Sequence, residues 1–463
     1  MSLGSRGNRR VNSLDKPIFR LAIPSILTAL STPLIGIADT AMIGHLPDVA
    51  FMGAVSTANL IFNALFWCLA FLRMGTTALV SQYHGAGDDR ASAGILYRSL
   101  LVALFLGAVI VLLSPWISRA GFALAGGSAE VQHWGGQYFA IRVWEAPLTL
   151  SLLTLNGFFL GTANALAPLL VTIVANVVNV GADYALIFGH WGAPKLGVEG
   201  AAWASVLGNA SALLVAVLLL IFRYGSHVRA WPERIWDLRP MRRLLQTNAF
   251  LFGRTLCLQC AQFLMLAMVS RMGDAQLAAN AVVLQIWGLA SFAVDGFAHA
   301  AETLVGNGLG GRRFVEARQM ARRIILWGTG LGLGFGLLYF FALQPIAALF
   351  TRHSEVVDKV AALYLLIALI QPLNAVVFVL DGIFIGANDM GYLFKAMAVA
   401  AFVVFAPAAL ILVYWLDGGL YGAWLAYNCL MIGRFLTLWP RYRSDVWLRS
   451  FVEKDEEYQA PVN

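Results

Sequence analysis

Apolar residues run along this chain in long blocks with short polar breaks. The blocks fall near 18–44, 51–83, 93–119, 131–161, 165–190 and 198–222, and resume near 244–272, 277–309, 322–346, 357–387, 392–416 and 418–438. A helix needs about 20 apolar residues to cross the hydrocarbon core of a bilayer, and each block supplies that length. Within lipid, only helices and closed barrels satisfy every backbone group. The alternating ten-residue segments of barrel strands are absent, so the pattern predicts an all-α membrane protein with twelve transmembrane helices. The longest polar connection, RYGSHVRAWPERIWDLRPMRR at 223–243, separates them six and six. The expected layout is a tail (1–17), a six-helix bundle (18–222), a linker (223–243), a second bundle (244–438) and a second tail (439–463).

The two sets of six are related. PLTLSLLTLNGFFLGTAN (147–164) aligns without a gap on PLNAVVFVLDGIFIGAND (372–389), at an offset of 225 residues. Pro147/Pro372, Gly157/Gly382, Phe159/Phe384 and Gly161/Gly386 are identical pairs. At the same offset ALVSQYHGAG (78–87) lies over TLVGNGLGGR (303–312). Six helices per half is an even number, so both halves enter from the same face and the repeats are parallel. Two pseudo-symmetric bundles that rock about a central cleft give alternating access. A channel, a receptor or a membrane enzyme needs no such arrangement. The sequence carries no P-loop, so the expectation is a secondary transporter and not an ATP-driven one.

Composition adds orientation. Charged residues make up 12% and hydrophobic residues 59% of the 463 positions, against about 25% charged in a soluble domain. Of the 32 Lys and Arg, 24 are assigned to the side that holds the N-terminus, five of them in the C-terminal tail. Five (Arg119, Lys195, Arg271, Arg352 and Lys359) are placed opposite, and Arg73, Arg142 and Arg254 within helices. The positive-inside rule then puts both termini in the cytoplasm and the protein in the inner (plasma) membrane. The basic N-terminus is followed by a full-length apolar helix and lacks the core and cleavage site of a signal peptide. The net charge of +7 reflects topology, and no nucleic-acid partner is expected. The chain is expected to act as a monomer.

Ionisable groups at bilayer depth cost about 2.5–3.5 kcal/mol on insertion scales, so each needs a reason. Asp39 lies about twenty residues into the first block, beside Thr40, on a helix that also holds Pro24 and Pro33. It can serve as a coupling acid, or as a carboxylate capping the outer helix end. Pro24 gives the helix a place to bend. Asn176, Asn179 and Asp183 recur at spacings of three and four, on one helix face, and read as part of a protonation site or as an interhelical hydrogen-bond network. Arg142 and Glu145 can pair at i,i+3, with Tyr138 on the same face; a structural role is weighed there against substrate binding. Asn156 and Asp381 are repeat counterparts. Asp295 and Glu302 share a face in the eighth helix, while Leu264 stands where a second Asp39 would be. If the coupling ion binds once, the first half is the better place for it.

Other features read as packing. Cys257 and Cys260 form a C-x-x-C inside a helix with no partner pair, and Gly328, Gly332 and Gly336 form a close-approach surface. No Ser-His-Asp or H-E-x-x-H arrangement occurs, so neither an enzyme, a cofactor nor a structural metal is expected.

With these residues assembled, the chain resembles the multidrug and toxic compound extrusion (MATE) family, its DinF-like branch in particular. The resemblance covers residues 15–440. It rests on P-x(14)-D-T-x-x-x-G (Pro24 to Gly44), N-x-x-N-x-x-x-D (Asn176 to Asp183) and the repeated NGFFLGTAN/DGIFIGAND segments. It implies a cation-coupled antiporter that exports bulky cationic or amphipathic organic compounds, with a proton as the usual ion. Asp39, Asn179 and Asp183 would carry the coupling, with Tyr138 nearby. The sodium-coupled branch uses acids in the seventh helix, where this chain has Asn248, Gln259 and Gln262. Sodium at Asp39, Asn179 and Asp183 stays open as an alternative, as does a lipid or lipid-linked flippase of related fold.

Overall fold

The computed structural model describes the backbone of residues 4–46, 48–225 and 237–448, and their side chains apart from 4–13, 32–35, 37, 38 and 49. The Pro33 side chain, most of the expected linker and residues 449–463 of the expected tail lie outside what is described.

Among the described residues the protein is all helix. In chain order these are α1 (Gly4–Ile43), α2 (Val49–Leu69), α3 (Phe71–Gly85), α4 (Asp89–Ala125), α5 (Ala129–Arg142), α6 (Ala146–Gly161), α7 (Leu166–Phe188) and α8 (Val198–Arg223). After the central connection come α9 (Leu238–Val269), α10 (Asp274–Gly310), α11 (Phe314–Phe350), the short α12 (Ser354–Ala361), α13 (Tyr364–Gly386), α14 (Met390–Trp415) and α15 (Gly419–Arg443). Nine stretches among the described residues are long and apolar enough to span a membrane, with α2 and α3 forming one of them. A tenth is the pair α5 and α6, bent by 52°. The helices α1 and α15 have the length but a more polar sequence, and the expected count of twelve rests on them.

The bend between α5 and α6 has a local cause. Residues Val143–Glu145 tighten into a 3-10 turn, and Pro147 follows at the start of α6. Proline lacks an amide hydrogen and crowds the preceding turn, so the helix restarts there. In α14, Pro407 likewise lies between two π-helical stretches, Val399–Phe405 and Ile411–Trp415.

The chain forms two compact units. One comprises Leu27–Leu244; the other comprises Leu245 onward together with residues up to Ile26. Both divisions fall inside helices, within α1 and α9. The sequence placed residues 18–26 in the first bundle, whereas their contacts are with the second. There Gly296 of α10 lets α1 approach closely: a β-carbon at Gly296 would lie 2.3 Å from Ile26 Cγ1 and 2.8 Å from the Ala22 carbonyl oxygen. Asp15 is held in the same unit by Arg323 at 2.8 and 3.0 Å, and by Trp327 at 2.9 Å.

Inside each unit the 225-residue repeat reappears as packing. In one, α6 packs on α3 and α4; in the other, α13 packs on α10 and α11. Gly157 admits the Arg73 carbonyl and Gly382 that of Ala298, the residue 225 further on. Gly107 admits Pro147, as Gly332 admits Pro372. Gly208 abuts Asn179, as Gly433 abuts Val404. Helix ends repeat too: Gly87 (φ +75°) corresponds to Arg312 (φ +55°), and Ala163 (φ +60°) to Asn388 (φ +56°). At Gly87 the left-handed backbone costs little, since glycine has no β-carbon. At Arg312 the same turn is imposed on a side chain that strains against it.

Candidate functional site

Several polar residues of the first unit, most of them buried, gather into one cluster. Helix α7 carries Asn176, Asn179 and Asp183 on one face; α1 brings Asp39; α5 and the following turn bring Tyr138, Arg142 and Glu145. Asp39, Asn179, Asp183, Tyr138 and Glu145 are all buried. The shared face expected from their spacing is therefore turned inward.

Arg142 is clamped. Its Nε donates to Glu145 Oε1 at 3.0 Å, and its Nη1 donates to the Tyr138 hydroxyl at 2.9 Å and also to the Asn59 side-chain oxygen. The guanidinium lies over the Phe62 ring, 4.9 Å from the centroid. The other Glu145 oxygen accepts from Asn209 at 3.1 Å. Asn59 and Asn209 were missed from sequence, because contacts 83 and 64 residues apart leave no local periodicity.

The other two acids of the cluster are less well served. Asp39 and Asp183 interact with each other and feel Arg142 electrostatically. Yet Asp39 Oδ1 and both oxygens of Asp183 meet no hydrogen-bond donor among the described residues. Both side-chain polar atoms of Asn179 are also buried without a partner. Asn176 is more ordinary: its amide donates to the Ser31 carbonyl at 3.3 Å. Burying polar groups without partners costs free energy unless a further group joins them. The cluster holds three acids against one arginine, so it lacks positive charge.

Other expected site residues lie elsewhere. The Asn156 side-chain oxygen is buried without a hydrogen-bond partner among the described residues. Pro24 is buried in the part of α1 that belongs to the second unit. Asp295 is half-buried and Glu302 buried in α10. Asp381 of α13 is gripped by Arg254 of α9 and Arg434 of α15, both through Oδ2. Arg434 corrects the charge assignment: counted with the C-terminal tail, it is in fact 2% exposed within α15. It was placed outside because it lies only four residues from the expected end of its apolar block. Cys257 is buried in the core while Cys260 is exposed, and both are free thiols.

Comparison with known proteins converges on one family. A family profile described as MatE matches residues 24–185 and 251–411. The two matches start 227 residues apart and end 226 apart, close to the internal repeat. Among curated proteins, DNA damage-inducible protein F of Escherichia coli (strain K12) is 33% identical, over 94% of this chain and 95% of its own length. The probable multidrug resistance protein NorM of Thermotoga maritima is 25% identical, over 90% and 89%. Among solved structures, a eukaryotic MATE transporter superposes with a TM-score of 0.86 at 19% identity, covering 96% and 99% of the two chains. A MATE in a bent conformation gives 0.84 at 18%, covering 96% and 97%.

Proposed function

This chain belongs to the MatE family, a family of multi-pass membrane transporters, and from that membership we propose that it is a secondary antiporter. It exports amphipathic or cationic organic compounds in exchange for protons, with Asp39 as the coupling acid and Asp183 and Asn179 completing the site. The observation that carries this reading is the unbalanced charge of the first-unit cluster. Asp39, Asp183 and Glu145 face one arginine, and that arginine is already committed to Glu145. Two like-charged carboxyls buried together repel unless something positive joins them. A proton is the smallest such partner. In the alternating-access cycle, its arrival from outside discharges the pair, and the change in charge bends α1 and expels the substrate.

Sodium is the second reading, favoured by one feature: Asn179 offers a buried amide oxygen with no donor beside the two acids. Such hard oxygen ligands suit an alkali cation as well. A flippase for phosphate cargo is less well supported, since Arg142 and Arg254, two of the three arginines read as lying within the helices, are committed to acids. Both termini are placed in the cytoplasm and the protein, as a monomer, in the inner membrane.

The deciding experiment is efflux from proteoliposomes with proton and sodium gradients imposed separately. Native protein is expected to respond to the proton gradient, and Asp39→Asn to lose that response. Full proton-driven exchange by Asp39→Asn would sink the proposal, and a response to sodium alone would favour the second reading.

A further inference from the structure

The second half carries its own buried charges, arranged in the opposite sense. Asp381, Arg254 and Arg434 are 4%, 7% and 2% exposed. Both guanidinium groups converge on Asp381 Oδ2 from different helices, α9 and α15. Arg434 also lies 5.5 Å from the centroid of the Phe378 ring and donates to Met431 Sδ at 3.5 Å. Asp295 from α10 and Tyr427 from α15 lie within its electrostatic reach. With Asp295 included, two acids meet two arginines, and the charges balance.

The repeat makes the contrast specific. At the 225-residue offset, Asp381 replaces Asn156, Arg434 replaces Asn209 and Arg254 replaces Ala29. In return, the positions of Asp39, Asn179 and Asp183 are taken by Leu264, Val404 and Ala408. One half keeps acids that lack a cation; the other has built cations in. Arginine is always protonated in proteins, so its charge cannot leave and return during a cycle.

We propose that Arg254 and Arg434 serve in the second half as fixed counter-cations, filling the place that the coupling ion takes in the first. The charge of Asp381 is thereby matched through Oδ2 throughout the cycle, and the coupling ion passes through the first half alone. This rests on the antiporter reading above and extends it to the number and place of ion sites. The two arginines are positioning residues, acting through Asp381.

The test is proton release on binding of ethidium, an amphipathic cation, read with a pH-indicator dye on purified full-length protein. Replacing both arginines (Arg254→Gln with Arg434→Gln) is expected to unmask Asp381. Release should roughly double, or ethidium binding should gain a sensitivity to sodium beyond that of the native protein. Adding Asp381→Asn to that pair removes the unmasked acid and should restore the native release. The proposal is overturned if the folded double variant gains neither proton release nor sodium sensitivity. It is equally overturned if the triple variant loses part of the native release, and this arm decides the matter should the double variant fail to fold. Asp39→Asn, run beside them, tests the antiporter reading separately. Unchanged release there would refute that reading, while the Asp381 variants would still show whether the second half binds an ion of its own.

Discussion

Glu145 and Asp15 show how differently two ion pairs respond to their surroundings. Among the described residues, Glu145 is the carboxylate that hydrogen-bonds the part-buried Arg142. Glu145→Ala should therefore cost about 1–3 kcal/mol, because Arg142 and Asn209 each lose the carboxylate they donate to; thermal unfolding in detergent measures it, and a loss below about 0.5 kcal/mol would contradict the argument. Asp15 lies in the polar first part of α1, where hydrogen bonding from Arg323, reinforced by Trp327, holds its carboxyl below the ordinary value of 3.8 against a smaller opposing effect of burial. The sign follows from linkage: a lowered pKa contributes stability that is present above 3.8 and is lost as pH falls through the lowered value. The difference in melting temperature between native protein and Asp15→Asn should hold steady from neutral pH to about pH 5 and shrink only on further acidification. A difference that vanished between those two pH values would show that the pair carries no such linkage. At this scale the sequence was informative for the acids, since a charge within an apolar block is visible on its own. It was silent about partners. Arg254 and Asp381 were both noticed but not joined, being 127 residues apart, and Asn59 and Asn209 look like ordinary amides until the helices bring them to Arg142 and Glu145.

Helices are where local period becomes contact. Gly328, Gly332 and Gly336 repeat every four residues along α11, and all three face α13. Added β-carbons there would meet Val379 Cγ2 at 2.8 Å, Ala375 Cβ at 2.7 Å and the Ala368 carbonyl at 2.8 Å. The intervening Gly330 and Gly334 meet nothing within 4 Å. Gly332→Val should then destabilise by about 1–3 kcal/mol through overpacking. Gly330→Ala and Gly334→Ala should be neutral or stabilising by up to about 1 kcal/mol, since glycine is the poorer helix former. Denaturation of the three variants in one detergent separates the two faces, and equal costs would mean that α13 does not use the glycine stripe. This surface was legible because a four-residue spacing maps directly onto one helix face. The 52° bend within the fourth apolar block was less so: hydropathy runs straight through Val143–Glu145, and only Pro147 hints at the restart.

At the scale of the whole molecule, the repeat was the most legible feature, and the division of α1 the least. Identical residues at a constant offset expose the repeat, and the paired approaches Gly107/Pro147 and Gly332/Pro372 show that it is kept as geometry. Nothing in the hydropathy of the first block announces that its residues up to Ile26 pack with one unit while Leu27 onward packs with the other. The consequence is mechanical. Asp39 lies in the part of α1 that follows the division, and Pro24 two residues before it. A change of charge at Asp39 can act on the second unit along this helix only if the start of α1 is firmly seated there. Gly296 provides that seat, through contacts that leave no room for a side chain. Gly296→Val should therefore loosen the seat without touching Asp39, Asp183 or Asn179. Such a protein is expected to bind ethidium with near-native affinity and to release its proton, yet to lose at least tenfold in proton-driven efflux. Parallel measurements of binding in detergent and exchange in proteoliposomes distinguish this from a general loss of stability, which would weaken both together. Efflux at the native rate would show that the signal leaves Asp39 by another route, within Leu27–Leu244 or along α9.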